Sequence, residues 1–161
     1  MTSGALLLAF LTLQRLGELV IASRNTKALL ARGAYERGAG HYPVMVALHV
    51  TWLATLWYFG WNHAAAAPLV VVFALLQAAR LWTMLSLGAR WTTRIIIVPG
   101  LAAVTTGPYR FLRHPNYLIV AIEIPVVSLA LGLVWHALVF SALNLAMLWW
   151  RIRAENRAFA A

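Results

Sequence analysis

The sequence predicts an all-α integral membrane protein of about five transmembrane helices, and three observations carry that prediction. Hydrophobic residues make up 63% of the 161, and charged residues only 11%, against roughly 25% in soluble domains; the mean hydropathy is +0.78. The apolar residues fall in runs long enough to cross a hydrocarbon core of about 30 Å, which takes about 20 residues at helical rise. The eight tryptophans suit the membrane–water boundary. One membrane domain over residues 1–161 is expected, since the length leaves no room for a soluble domain beside several spans.

Residues 3–23 form the first expected span. The start of the chain lacks the basic region of a signal peptide, so this run is read as retained. Inside it Arg15 and Glu18 stand three apart and share a helix face, next to Gln14. Charges within a span face the bundle or a wet cavity; a neutralised structural pair is the alternative reading. Arg24-Asn25-Thr26-Lys27 is expected to end the span, and 34–43 is a glycine-rich linker. A second span is expected over 43–61, where His49 reads as a hydrogen-bonded packing residue. Trp61-Asn62-His63 makes an uncharged turn into a third span, 65–87, with Gln77 and Arg80 near its far end.

The longest polar connection covers 88–116. It contains the β-branched run Ile95-Ile96-Ile97-Val98 and the turn signal Pro99-Gly100. The next apolar stretch breaks at Gly132 and Trp135-His136, which gives two antiparallel spans, 117–133 and 135–150; a single helix there overshoots the membrane. The tail, 151–161, is a charged helix end.

The formal net charge of +9 comes from 12 Arg and one Lys against four Glu and no Asp. Because the basic residues flank apolar segments, they read as orientation signals and anionic-lipid contacts rather than a nucleic-acid surface. With five spans, Arg24, Lys27, Arg32 and Arg37, then Arg90, Arg94, Arg110 and Arg113, then Arg151, Arg153 and Arg157 all fall on one side. The turns on the other side carry no Lys or Arg. The positive-inside rule then puts the N-terminus outside and the C-terminus in the cytoplasm. The absence of cysteine excludes disulfides and thiolate chemistry.

The densest polar stretch is Gly107-Pro108-Tyr109-Arg110-Phe111-Leu112-Arg113-His114-Pro115-Asn116-Tyr117. Such a cluster at the mouth of an apolar segment needs water or a ligand to satisfy it, and it is read as a ligand site. Arg110 and Arg113 suit carboxylate or phosphate recognition, and His114 donates or accepts near neutral pH. Pro108 and Pro115 stiffen the backbone. Gly107, Tyr109, Asn116 and Tyr117 complete this lip. Glu155 and Asn156 return to it from the tail, Glu155 being suited to an ammonium, a ribose hydroxyl or an amino group. A ligand at once anionic, cationic and aromatic uses this set; S-adenosylmethionine is one, a nicotinamide nucleotide another. No Rossmann or P-loop fingerprint and no zinc-like His spacing is present. Beneath the lip, Glu18, Arg80, Glu123 and Asn144 each lie about five to seven residues in from a cytoplasmic helix end, roughly 7–11 Å at helical rise. They are read as the floor of a pocket, with Trp91 of the connection also lining it; unrelated structural pairs are the plainer alternative.

With Leu87-Gly88-x-x-Trp91 upstream and Arg151-x-x-x-Glu155 near the end, the block resembles the isoprenylcysteine carboxyl methyltransferase family, over about residues 80–157. The resemblance implies an S-adenosylmethionine-dependent transferase, with the cofactor at the cytoplasmic mouth and a lipophilic substrate entering from the bilayer. On that basis Arg113, His114, Tyr117 and Glu155 map onto the cofactor site, and Arg151 onto the last-helix arginine beside the reacting group. Ile119 stands where the family usually has glycine, and Asn156 where a second glutamate is typical. The chain also stops at Ala161, where many members continue. These departures point to a small bacterial branch, similar to enzymes that methylate hydroxyls of polyketide-derived lipids.

Methyl transfer is an in-line displacement, for which the protein supplies alignment and exclusion of water. A carboxylate acceptor needs no base, and Arg151 can orient it with two hydrogen bonds. A phenol or enol benefits from deprotonation, for which Glu123 and His114 are the candidates. Two other classes answer to parts of the pattern. Sterol-type membrane reductases carry a related Arg-His-x-Asn-Tyr block and use a nicotinamide cofactor; Asn116 and Tyr117 fit them, Leu118 and Ile119 do not. A non-enzymatic transport or structural protein accounts for a polar ring but leaves the 107–117 cluster without a role.

Overall fold

Thr2 opens the first helix by accepting a hydrogen bond from the Ala5 N–H at 3.1 Å, the usual way a free N-terminal donor is satisfied. The computed structural model describes residues 2–160, with side chains described through Arg157. Among these residues five α-helices follow one another: α1 Ser3–Leu30, α2 Tyr42–Gly60, α3 Ala67–Leu87, α4 Pro115–Ala130 and α5 Val134–Ala160. Prolines stand in the first turn of α2, α3 and α4, where their missing N–H costs nothing. Three stretches are long and apolar enough to cross a membrane: Ser3–Leu30, Ala39–Gly60 and Ala67–Arg90. They mark an integral membrane protein. α4 is apolar but only 16 residues long, about 24 Å at helical rise.

Several boundaries differ from expectation. α1 does not stop at Arg24-Asn25-Thr26-Lys27 but carries these residues on its last turns, ending at Leu30. Asn25 uses its amide to bond the Trp91 carbonyl at 2.9 Å, so this polar stretch docks on the long connection. The tail, read as a charged helix end, does continue α5 without a break through Ala160. The linker and the connection are joined by a short antiparallel ladder, β1 Tyr35–Glu36 with β2 Ile96–Ile97, pairing Tyr35 with Ile97 and Glu36 with Ile96. Arg94 fastens it further, with both Glu36 oxygens at 2.9 Å and its guanidinium 4.1 Å over the Tyr42 ring.

The helices form a bundle whose centre is Leu8, Leu11, Trp52, Leu56, Ile124, Val127 and Leu131. Large apolar side chains such as Leu13, Val50, Leu75, Leu85 and Leu138 point outward, which suits a lipid-facing surface. Between helices in lipid, contact comes from close packing rather than from burial out of water. α4 and α5 form a hairpin, turned at Gly132 with φ +73°, a left-handed conformation that glycine adopts without strain. His136 clips the end of the bundle near the α4–α5 turn, with Nδ1 at 2.9 Å from Ser128 of α4 and Nε2 at 2.9 Å from Thr55 of α2. α5 therefore runs antiparallel to both.

Candidate active site

The site is built where α4 begins. A turn of 3₁₀ helix at Gly107–Arg110 delivers the chain to Pro115, whose preset φ starts α4 and leaves His114 just outside it. On α5, Arg151 and Glu155 are one turn apart and share a face. Tyr117 of α4 meets both: Arg151 Nε–H donates to the Tyr117 oxygen at 2.7 Å, and the Tyr117 hydroxyl donates to Glu155 Oε2 at 2.6 Å. The His114 ring stacks on that of Tyr117, 5.0 Å apart and 5° from parallel, and its Nδ1 lies 3.7 Å from Glu155 Oε2. Burial, reinforced by the charge of Glu155, pushes the Tyr109 phenol up to about 12, so it is a hydrogen-bond donor at neutral pH.

Arg151 also reaches the linker side. Its Nη1 is 3.0 Å from Met45 Sδ and 3.4 Å from His41 Nε2. The His41 Nδ1 pairs with the Gly38 carbonyl, which requires that nitrogen to carry the proton and leaves Nε2 as an acceptor for the guanidinium. Arg151 is buried, with Nη2 unengaged among the described residues.

Behind the lip lies an ionic network. Glu123 is fully buried and accepts from Arg15, from Arg80 Nη2 at 2.5 Å and from Gln77 at 2.9 Å. Glu18 accepts from Arg15 at 2.6 Å and from Gln14 at 2.8 Å, and lies 3.6 Å from Arg80 Nε. Two arginines face two glutamates, so the network is neutral, as a buried set must be to remain tolerable. Arg80 Nη1 extends to Asn116 Oδ1 at 3.3 Å and ties the network to the lip.

A cavity of about 1140 Å³ opens between these parts, a little above the usual range of roughly 300–1,000 Å³ for small-molecule sites. Tyr109, Arg113, His114, Asn116, Tyr117, Arg151, Glu155 and Asn156 line its mouth; Glu18, Arg80, Asn144 and Trp91 line it further in. The connection from 90 to 105 walls one side, and Arg90 latches it by donating to the Ala102 carbonyl at 2.7 Å. Among the lining residues, the Trp91 indole N–H and both amide atoms of Asn144 are buried with no hydrogen-bond partner among the described residues.

Three expected site residues fall elsewhere. Glu123 is in the core, behind the cavity wall, with both oxygens occupied. Arg110 is exposed, its guanidinium 5.9 Å from the Phe111 ring. Gly107 packs on α3 with φ +59°, where a Cβ would stand 3.0 Å from Ser86 Cβ and closer still to its hydroxyl. Gly107 is therefore a packing and turn glycine. Gly107→Ala is expected to lower stability by about 1–3 kcal/mol, read as a shifted unfolding midpoint in detergent. The structure also adds residues that the sequence reading left out of the site. Arg15 and Gln77 hold Glu123, His41 and Met45 hold Arg151, and His49 lines the cavity. The signal for the last three was available: 41, 45 and 49 are spaced by four, one stripe of a helix.

A bundle with three membrane-length helices and a polar lip beside a large cavity defines an integral membrane protein with a candidate ligand site. The chain belongs to the isoprenylcysteine carboxyl methyltransferase (ICMT) family, whose model matches residues 69–161, more than half of it. It is 34% identical to the Bacillus subtilis (strain 168) "Uncharacterized protein YpbQ" over 166 residues, covering 95% of this chain and 94% of that one. It is 28% identical to a Haemophilus influenzae "Uncharacterized protein", covering 91% and 88%. No solved structure matches. The match spans nearly all of α3, then α4 and α5 with the connection between them; α1 and α2 lie wholly before it.

Proposed function

We propose that the chain is an S-adenosylmethionine-dependent methyltransferase acting on a carboxyl or hydroxyl oxygen of a membrane-embedded lipid. The observation that carries this reading is the Arg151–Tyr117–Glu155 chain at the edge of a large, mostly apolar cavity. It offers a cation, a phenol and a carboxylate within one hydrogen-bonded group, beside the exposed guanidinium of Arg113. This donor set fits a cofactor with an amino acid end and a nucleoside end: Glu155 for an ammonium or ribose, Arg113 for a carboxylate, the His114–Tyr117 stack for an aromatic base. Such a cofactor supplies an electrophilic methyl group on a sulfonium. Arg151 holds the reacting partner, since its Nη2 is unengaged while Tyr117, Met45 and His41 fix the rest of its fork. The walls from α1, α2 and the connection keep water out. Glu123 acts as counter-ion to Arg15 and Arg80 rather than as a base, and His114 belongs to the cofactor side. In this reading α4 and α5 also span the bilayer, with the N-terminus outside and the lip in the cytoplasm, as the one-sided arginines indicate.

Calorimetry on the purified protein tests the cofactor. S-adenosylhomocysteine is expected to bind with measurable heat and NADPH not to bind; the reverse would assign the site to a reductase. Glu155→Ala is expected to weaken S-adenosylhomocysteine by about tenfold or more, the loss of one charge-assisted hydrogen bond.

A further inference from the structure

Away from the large cavity, the linker and the tail of α5 meet at a smaller pocket of about 240 Å³, lined by Arg37, Gly38, Ala154 and Arg157. The local backbone builds it. The Arg37 N–H donates to the Ile95 carbonyl at 3.0 Å, which fixes this residue at the end of the β1–β2 ladder. Its guanidinium rests 5.3 Å from the centre of the Tyr35 ring. Gly38 then turns the chain with φ +63°, and a Cβ there would stand 3.4 Å from that of Ala154. The linker therefore passes close over α5. Arg157 shares a helix face with Ala154, and a long side chain there leans back toward the preceding turn.

Two guanidinium groups thus line one small pocket, and no side-chain carboxylate answers them. The chain has four glutamates and no aspartate, and each glutamate is engaged elsewhere. Glu18 and Glu123 belong to the buried network. Glu36, next to Arg37, turns to Arg94, and Glu155 turns to Tyr117. Like charges held together repel, and an anion between them reverses the sign. The planar fork of arginine matches the oxygens of phosphate.

Depth indicates where that anion comes from. Ala154 lies about 20 residues along α5 from Val134, roughly 30 Å at helical rise, which is the thickness of a hydrocarbon core. Exposed tryptophans stand toward both ends of that length, Trp135 at one and Trp149 and Trp150 at the other, as at membrane boundaries. With α5 across the bilayer, as proposed above, the pocket stands level with the lipid phosphates.

We infer that Arg37 and Arg157 form a binding site for the phosphate of an anionic phospholipid, which bridges the linker to α5. Two cations and no anion in the pocket repel the ammonium of a zwitterionic headgroup, so the selection is for net negative charge. The bridge stands behind Arg151, because the Gly38 carbonyl pairs with His41, whose other nitrogen faces Arg151. The inference rests on the placement of α5 across the bilayer and not on methyl transfer.

The test uses the purified full chain, delipidated in a neutral detergent, with three probes: short-chain phosphatidylglycerol, the matching phosphatidylcholine, and inorganic phosphate. Native mass spectrometry is expected to show one phosphatidylglycerol retained about tenfold more strongly than phosphatidylcholine. Arg37→Gln and Arg157→Gln are each expected to weaken that retention about tenfold, the loss of one charge-assisted hydrogen bond. Arg24→Gln, at another exposed arginine expected on the same side, is expected to leave it unchanged. Both site arginines are exposed, so the variants are expected to unfold at the wild-type midpoint without lipid. Phosphatidylglycerol then raises the midpoint of the wild type more than theirs. Equal retention of the two lipids, or an equal loss in Arg24→Gln, overturns the inference. Displacement of the lipid by an equal concentration of inorganic phosphate also overturns it, giving the pocket to a soluble anion. No step uses S-adenosylmethionine, so the methyltransferase reading stands or falls separately.

Discussion

Arg151→Ala is expected to lower methyl transfer by about 10²–10³-fold, the range found when one preorganised donor is removed from a reacting centre. The side chain is buried, anchored at Nε by Tyr117 and at Nη1 by Met45 and His41. Its position is thus fixed before any substrate arrives. Arg151→Lys is expected to recover little of the loss, because an ammonium keeps the charge but not the planar fork. Binding of S-adenosylhomocysteine separates the effects: if Arg151 serves the reacting group, the rate falls much further than the affinity. Equal losses in both would place Arg151 on the cofactor side alone.

The second large effect is on stability. Glu123→Ala removes the acceptor shared by Arg15, Arg80 and Gln77. It leaves the buried guanidinium of Arg80 and the partly buried one of Arg15 facing Glu18 alone, a neutral set turned into one with an unpaired charge. Breaking such a pair costs about 3–5 kcal/mol, and unfolding in detergent reads it directly. Adding Arg80→Met to Glu123→Ala is expected to restore part of the loss, since the uncompensated charge goes with it. Because Arg80 also bonds Asn116, the single variant is expected to weaken cofactor binding as well.

The helices were legible because apolar runs of membrane length leave few alternatives, and because Gly132 marks the turn between α4 and α5. The end of α1 was not. Polar residues in the last turns of a helix look like loop in a sequence, yet long side chains there reach water or a neighbouring segment, as Asn25 does on Trp91. The ladder between Tyr35–Glu36 and Ile96–Ile97 joins segments far apart in the chain, so only the β-branched run at 95–98 hinted at it. At the site, depth was readable and facing was not. Glu18, Arg80 and Glu123 do meet in one network, but counting residues from a helix end cannot say that Glu123 faces the core while Glu18 and Arg80 reach the cavity. The same limit applies inside the 107–117 cluster. Its composition drew attention, while the turn geometry sends His114 and Tyr117 inward and Gly107 and Arg110 away. His49 was read as packing, and its Met45 bond fits that; its place on the cavity wall is visible only in three dimensions.

The most direct measurement gives the purified protein, in lipid nanodiscs, methyl-labelled S-adenosylmethionine and a bacterial lipid extract, and follows label and mass in the lipids. The account predicts label in one lipid class whose mass rises by one methylene, with the signal lost in Arg151→Ala. No labelled lipid, together with NADPH consumed by the same extract, would contradict it.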